Sequence, residues 1–202
     1  MTNNKEEYKS NDVTFVNSKK VPFQRWYPYI EGYSPDFVKT IIRENVPNAR
    51  LIYEPFAGTG TTLFASDEMD IDTVYSEVNP LLRFLIDSKL SILNMEINSR
   101  HELSAPLQKL ADKILIISAE YEADTNLDET YKTVFGKSVY FPEEQYRKIL
   151  KLRSFIDHIA NENVMLSKLL TIACFTCLLP VSYLKKQGDV RFKTEAERRT
   201  QM

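Results

Sequence analysis

Apolar and polar positions divide the chain into an irregular opening, an alternating middle and a helical second half. Residues 1–22 are rich in Asn, Ser, Lys and Glu without periodicity, which predicts a flexible N-terminal arm. Such a segment buries too little apolar surface to offset its ordering entropy. Trp26, Tyr27, Tyr29 and Tyr33 then crowd aromatics into a stretch punctuated by Pro28 and Gly32, predicting an ordered loop over a pocket or core. Ser34-Pro35-Asp36 reads as a helix start, with Ser as N-cap, Pro at the first helical position and a carboxylate near the positive end of the dipole. Phe37, Ile41 and Ile42 are its expected buried face. The apolar run from Ala49 to Tyr53 predicts a strand, followed by a glycine turn and a helix from Leu63. Thr73 to Ser76 predicts a second strand ending at Glu77, and Asn79-Pro80 opens another helix carrying Leu81, Leu82, Leu85 and Ile86. A strand–helix–strand–helix order implies parallel strands joined by a right-handed crossover.

Farther along, Leu103, Leu107, Leu110, Ile114, Ile117 and Tyr121 recur every three or four residues and predict one long amphipathic helix. Asp124 to Glu129 is polar and reads as a loop. Tyr146, Ile149, Leu150, Leu152, Phe155, Ile156 and Ile159 mark a helix after Pro142, and a third runs from about Asn163 to Leu179. The expected organisation is an arm (1–22), an α/β core (23–97), a helical block packed on it (98–184) and a basic tail (185–202).

Composition narrows the class. With 202 residues, 43% of them hydrophobic, the chain can build a sizeable core, which excludes disorder throughout and a fibrous rod. A net charge of −2 excludes a surface that is polycationic overall, so any phosphate contact needs a local patch. Lys185, Lys186, Arg191, Lys193, Arg198 and Arg199 form such a stretch, broken by Asp189, Glu195 and Glu197; contact with a DNA backbone and a solvated tail are both open readings. Cys174 and Cys177 lie in an apolar run and read as buried small hydrophobes in a reducing compartment. The N-terminus lacks the apolar core of a secretion signal. The longest apolar region, Leu169 to Val181, is interrupted by Thr171, Thr176 and Pro180 and reads as too short for a membrane span. The expectation is a cytoplasmic protein with no membrane partner. His101 and His158 stand in no ligand pattern, so no metal site is expected.

The chemistry concentrates in the turn after the first strand. Only five glycines occur, and Gly58 and Gly60 are two of them. At the carboxyl edge of a parallel sheet, glycines let backbone N–H groups approach a ligand without an intervening Cβ. Glu77 follows Gly60 by 17 residues, at the end of the second predicted strand, where an acid can accept bonds from both hydroxyls of a ribose. Neither a Gly-Lys-Ser/Thr continuation nor a three-glycine dinucleotide fingerprint is present. The expected ligand is therefore a nucleoside carrying something other than a pyrophosphate.

Glu54-Pro55-Phe56-Ala57-Gly58-Thr59-Gly60-Thr61-Thr62 and Ser76-Glu77-Val78-Asn79-Pro80 resemble the S-adenosylmethionine-binding signature of the DNA amino-methyltransferases, which methylate adenine N6 or cytosine N4. Gly32-Tyr33-Ser34-Pro35-Asp36-Phe37 resembles the segment those enzymes place before the first strand. The resemblance spans Trp26 to about Lys89. It implies an α/β fold with a partial Rossmann-like methyltransferase sheet and a helical insertion or subdomain, and S-adenosyl-L-methionine as cofactor. It also implies that Phe56, Gly58 and Gly60, with Ala57, Thr59, Thr61 and Thr62 around them, cradle the methionine moiety. Glu77 would hold the ribose, Val78 would pack on the adenine, and Ser34 and Pro35 would contact the carboxylate end. Glu54 stands where most members carry Asp, one methylene shorter. Trp26 and its aromatic neighbours read equally well as a cofactor cap or as core.

The same family catalyses with an Asp/Asn/Ser-Pro-Pro-Tyr/Phe segment, and consecutive prolines occur nowhere in this sequence. No catalytic residue is therefore assigned. The expectation is the cofactor-binding part of a DNA methyltransferase, incomplete and inactive as this chain alone. DNA would be engaged through a missing or separate target-recognition region, with a second subunit as a source of the catalytic motif. The alternatives are a fragment of an RNA guanine-N2 methyltransferase and a non-catalytic partner of a split enzyme.

Overall fold

A computed structural model of the chain describes residues 14, 20–29, 32–187 and 189–199. Most of the expected arm lies outside them. The chain divides into two compact units, Met1–Leu90 and Ser91–Met202.

In the first unit a 3-10 turn, Gln24–Trp26, precedes helix α1, Pro35–Asn45. Ser34 caps α1 as the sequence predicts, its Oγ accepting the Phe37 N–H at 3.2 Å. The buried face differs from expectation. Pro35, Val38 and Ile42 are buried, while Phe37 is half-buried and Ile41 is 36% exposed. A helix starting at Pro35 repeats its face at i+3 and i+7, which selects Val38 and Ile42 and rotates Ile41 outward.

Strand β1, Leu51–Glu54, pairs in parallel with β2, Asp72–Tyr75, in the register Leu51↔Asp72 to Glu54↔Tyr75. Helix α2, Thr61–Asp67, connects them, and α3, Pro80–Leu93, follows. The predicted parallel pairing is present. Because the two strands end in register, both following turns emerge at the same sheet edge. One cluster, Val38, Ile42, Ala65 and Ile71, packs α1 and α2 with Ile52 of β1; a second, Ala57, Leu63 and Ile86, seats the turn after β1 on α2 and α3. The fold is a helix-dominated mixed α/β arrangement. Among the described residues this parallel sheet has two strands, and one face of it is uncovered. Leu51, Tyr53 and Val74 are 62%, 64% and 53% exposed.

In the second unit the predicted long helix is three short ones: α4, Ile97–Glu102; α5, Ser104–Ala111; and α6, Ile114–Ala119. Pro106 accounts for the first break, since it has no N–H to donate to the Glu102 carbonyl that a continuous helix would use. Nothing in the sequence marks the second break, at residues 112–113. The periodic side chains Leu107, Leu110, Ile114, Ile117 and Tyr121 nevertheless all pack on one cluster of Phe155, Ile156, Leu166 and Leu170.

The predicted polar loop at Asp124 to Glu129 is instead the start of helix α7, Thr125–Phe135. Its polar residues are caps and pairs. Asp124 Oδ1 accepts the Leu127 N–H at 2.9 Å, Lys132 donates to Asp128 at 2.7 Å, and Gly136, at φ 57°, ends the helix. Helices α8, Glu143–Glu162, and α9, Val164–Val181, begin at Pro142 and Asn163 as predicted. Among the described residues, α9 is long and apolar enough by length and composition to cross a membrane. Thr171 and Thr176 do not interrupt it, because their hydroxyls bond to the Ser167 and Ala173 carbonyls of the same helix. Cys174 is partly buried and Cys177 is exposed, so the pair is not the buried couple expected.

The basic C-terminal stretch is folded. Strands β3, Leu184–Gln187, and β4, Asp189–Phe192, form an antiparallel hairpin followed by α10, Glu195–Arg199. Glu197 accepts from Lys185 at 2.8 Å and Arg191 at 2.9 Å, while Lys193 Nζ donates to the Pro180 and Ser182 carbonyls. Much of the local positive charge is thus engaged internally.

Candidate functional site

The turn from β1 into α2 is held peptide by peptide. The Ala57 N–H donates to the Ser76 carbonyl at 3.1 Å, and the Gly60 N–H donates to the Ala57 carbonyl at 2.8 Å. The Ser76 hydroxyl donates to the Pro55 carbonyl at 2.8 Å, which ties the turn to the end of β2. Gly58 and Gly60 have φ of 56° and 89°, in the left-handed region that disfavours a side chain. A Cβ on Gly60 would also lie 3.0 Å from a ring carbon of Phe64 and 3.2 Å from Ile86. Thr59, Thr61 and Thr62 are buried behind the turn. Phe56 and Val78, the tips of the two turns, are 84% and 96% exposed.

Glu77 joins the turns. One carboxylate oxygen accepts the Gly58 N–H at 2.8 Å and the other accepts the Asn79 N–H at 2.7 Å. A carboxylate has about four lone-pair positions, so two backbone bonds leave acceptor capacity for hydroxyl donors. Half-buried at the shared sheet edge, Glu77 is a fixed anion whose position is set by the peptides on either side.

Glu54 organises the other side. Its Oε1 accepts the Phe56 N–H at 2.9 Å. Its Oε2 lies 3.0 Å from Tyr33 Oη and 2.7 Å from Thr62 Oγ1, and those two hydroxyls are 2.7 Å apart. Two protons serve three contacts, so the hydroxyls share them with the carboxylate as one network. Burial pushes the Tyr33 phenol above its ordinary value; the Thr62 bond opposes that shift and the neighbouring Glu54 charge adds to it. Through Tyr33 the network reaches Ser34 and Pro35, both buried at the start of α1. The Trp26 ring is 4.8 Å from Phe23, which stacks on Phe64 of α2 at 5.8 Å, and Tyr29 of the same aromatic stretch lies against the turn, its ring 3.3 Å from where a Cβ on Gly58 would stand.

Lys89, which sequence reasoning passed over, is fully buried on α3 and donates to the Thr59 carbonyl at 2.8 Å. Its ammonium lies 5.6 Å from the Phe64 ring centre. Burial pulls its pKa down to about 8. The signal was present: Leu82, Leu85, Ile86 and Lys89 follow the helical repeat of a buried face.

In sequence, the chain is 26% identical over 178 residues to type II methyltransferase M.AvaI from Nostoc sp. and from Anabaena variabilis, covering 88% of this chain. Type II methyltransferase M.BsoBI from Geobacillus stearothermophilus is 21% identical over 185 residues, covering 91%. This chain is a sequence relative of the type II methyltransferases. It spans about a third of their length, 34% in each case. No family model matches the chain, and no solved structure matches it. The similarity extends over nearly all of this chain, so it includes both the turn-bearing unit and the helical one.

Proposed function

We propose that this chain is the S-adenosylmethionine-binding part of a cytoplasmic DNA methyltransferase of the restriction-modification type, acting on an exocyclic amine of adenine or cytosine. The observation that carries the reading is Glu77, fixed by the Gly58 and Asn79 amides at the edge where two parallel strands end. Such an acid, beside a glycine turn and lacking a phosphate-binding lysine motif, suits a ribose hydroxyl pair. Phe56 and Val78 suit the same ligand, being exposed apolar groups at the rim that the methionine and adenine ends of a bound cofactor, respectively, would shield from water.

In this reading Glu77 orients the ribose, and Val78 flanks the adenine. Glu54, locked by Tyr33 and Thr62, lies toward the methionine end, where an acceptor for an ammonium is useful. The bound cofactor would supply an activated methyl group, and these residues would hold it without competing chemistry. The Rossmann-like sheet is part of the proposal. Parallel sheets are ordinarily covered on both faces, and the exposed Leu51, Tyr53 and Val74 fit a sheet completed by further polypeptide. That polypeptide, whether a second subunit or the remaining length seen in the relatives, would also bring the Pro-Pro-aromatic segment and the target-recognition surface that engages DNA. Isolated, the chain would bind cofactor and transfer no methyl group, because its sequence holds no Pro-Pro-aromatic segment to accept the target amine.

Calorimetric titration with S-adenosylmethionine tests this. Saturable binding by the wild type, with loss in Glu77→Ala, supports the reading; absence of heat with a folded wild type refutes it.

A further inference from the structure

We propose that Lys89 is the positioning residue that locks the glycine turn in its ligand-accepting shape. The inference rests on the proposed cofactor site and goes beyond it, since it assigns a role to a side chain placed behind the turn.

The Thr59–Gly60 peptide plane is held from opposite sides. Its N–H donates to the Ala57 carbonyl, and its C=O accepts from the Lys89 ammonium. Flipping this peptide would break both bonds at once and would move Gly60, whose left-handed conformation starts α2. The ammonium has no surface to snorkel toward, being fully buried. No carboxylate of the described residues lies within ion-pair distance of it. A cation placed there without a counter-ion is costly to the fold. The groups facing it are the Thr59 carbonyl from the turn and the Phe64 ring from α2. Of the charged groups on the flanking elements, Glu54 is bonded to Tyr33, Thr62 and the Phe56 N–H, Glu77 to two amides, Glu68 after α2 to Lys39, and Asp87 of its own helix to the Tyr75 hydroxyl and Arg83, while Asp67 at the end of α2 is exposed. The adjacent Thr59 Oγ1 is buried without a partner among the described residues, so the carbonyl is the group that engages the lysine.

Losing the proton weakens this bond, because a neutral amine donates less strongly than an ammonium. With its pKa near 8, Lys89 therefore holds the turn firmly below that pH and loosely above it.

Two readouts separate this inference from the cofactor reading. In ligand-free protein, the amide signals of Gly58 and Gly60 should titrate with a midpoint near pH 8 in the wild type and not in Lys89→Met, where their hydrogen exchange should quicken about ten-fold. Lys89→Arg, which stays charged, should remove the titration while retaining slow exchange if the bond is kept. With S-adenosylmethionine, Lys89→Met should weaken binding on the order of ten-fold and flatten its pH dependence. Gly58 and Gly60 amides whose exchange is unchanged in folded Lys89→Met, or in Lys89→Gln should the Met variant not fold, would overturn the role of Lys89, whether or not the cofactor binds. A titrating turn in a protein that fails to bind the cofactor would support the lock and reject the cofactor reading alone.

Discussion

The carboxylate of Glu77 and the amide of Gly58 meet at 2.8 Å, across the gap between the ends of two adjacent parallel strands. This bond joins the turn after β1 to the turn after β2, so the acid and the glycine turn form one preorganised surface. A ligand that uses Glu77 through its remaining lone pairs meets a turn already in place.

Glu77→Gln retains size and one acceptor oxygen but cannot offer two anionic acceptors to Gly58 and Asn79. Hydrogen bonds to charged groups contribute about 1.5–3 kcal/mol each. Loss of one such contact to the ligand should weaken S-adenosylmethionine binding roughly ten- to hundred-fold. Calorimetry on the variant, alongside a thermal melt to verify folding, measures this.

Gly60→Ala and Gly136→Ala separate backbone strain from crowding. Both sites have positive φ, but a Cβ at Gly136 meets nothing within 4 Å, whereas at Gly60 it meets Phe64 and Ile86. Gly136→Ala should cost about 1 kcal/mol and Gly60→Ala roughly 2–4 kcal/mol in urea denaturation. Equal losses would mean that packing behind the turn is looser than the structure has it.

The turn was legible in the sequence because few residue types tolerate it. Two glycines between an apolar run and a helical repeat, and an acid after the next strand, left little freedom in how the segment could fold. The Ser34 cap and the starts of α8 and α9 were legible for the same local reason. What the sequence hid was context. Asp124 to Glu129 looked like a loop because caps and i,i+4 pairs use the same polar residues as turns. The long helix at 103–121 had the correct face but not its continuity, since periodicity reports which side is buried and is silent on breaks. The burial of Lys89 depends on a partner distant in sequence, a carbonyl thirty residues earlier, which local periodicity does not reveal.

Glu197 should make the C-terminal hairpin acid-sensitive. Its bonds with Arg191, Lys185 and the Thr194 amide hold its carboxyl well below the ordinary value of 4.5. A carboxyl depressed on folding adds stability above its unfolded pKa and loses it as pH falls through the folded one. The melting temperature of the wild type should exceed that of Glu197→Gln at pH 7, and the difference should shrink on acidification below pH 4.5. A difference independent of pH would mean that these bonds do not depend on the charge.

The cysteines should differ in reactivity. Cys177 is exposed, whereas burial pushes the Cys174 thiol up to about 11, so less thiolate forms there. A thiol reagent at pH 8 should consume one equivalent quickly, and Cys177→Ser should remove that fast phase. Two equally fast equivalents would contradict the placement of α9.

The most direct measurement is the amide spectrum of isotopically labelled protein titrated with S-adenosylmethionine. The account predicts saturable shifts at Phe56, Gly58, Gly60, Glu77 and Val78, with smaller changes at Tyr33 and Ser34. Saturable shifts confined to other residues, or none at all, would contradict it.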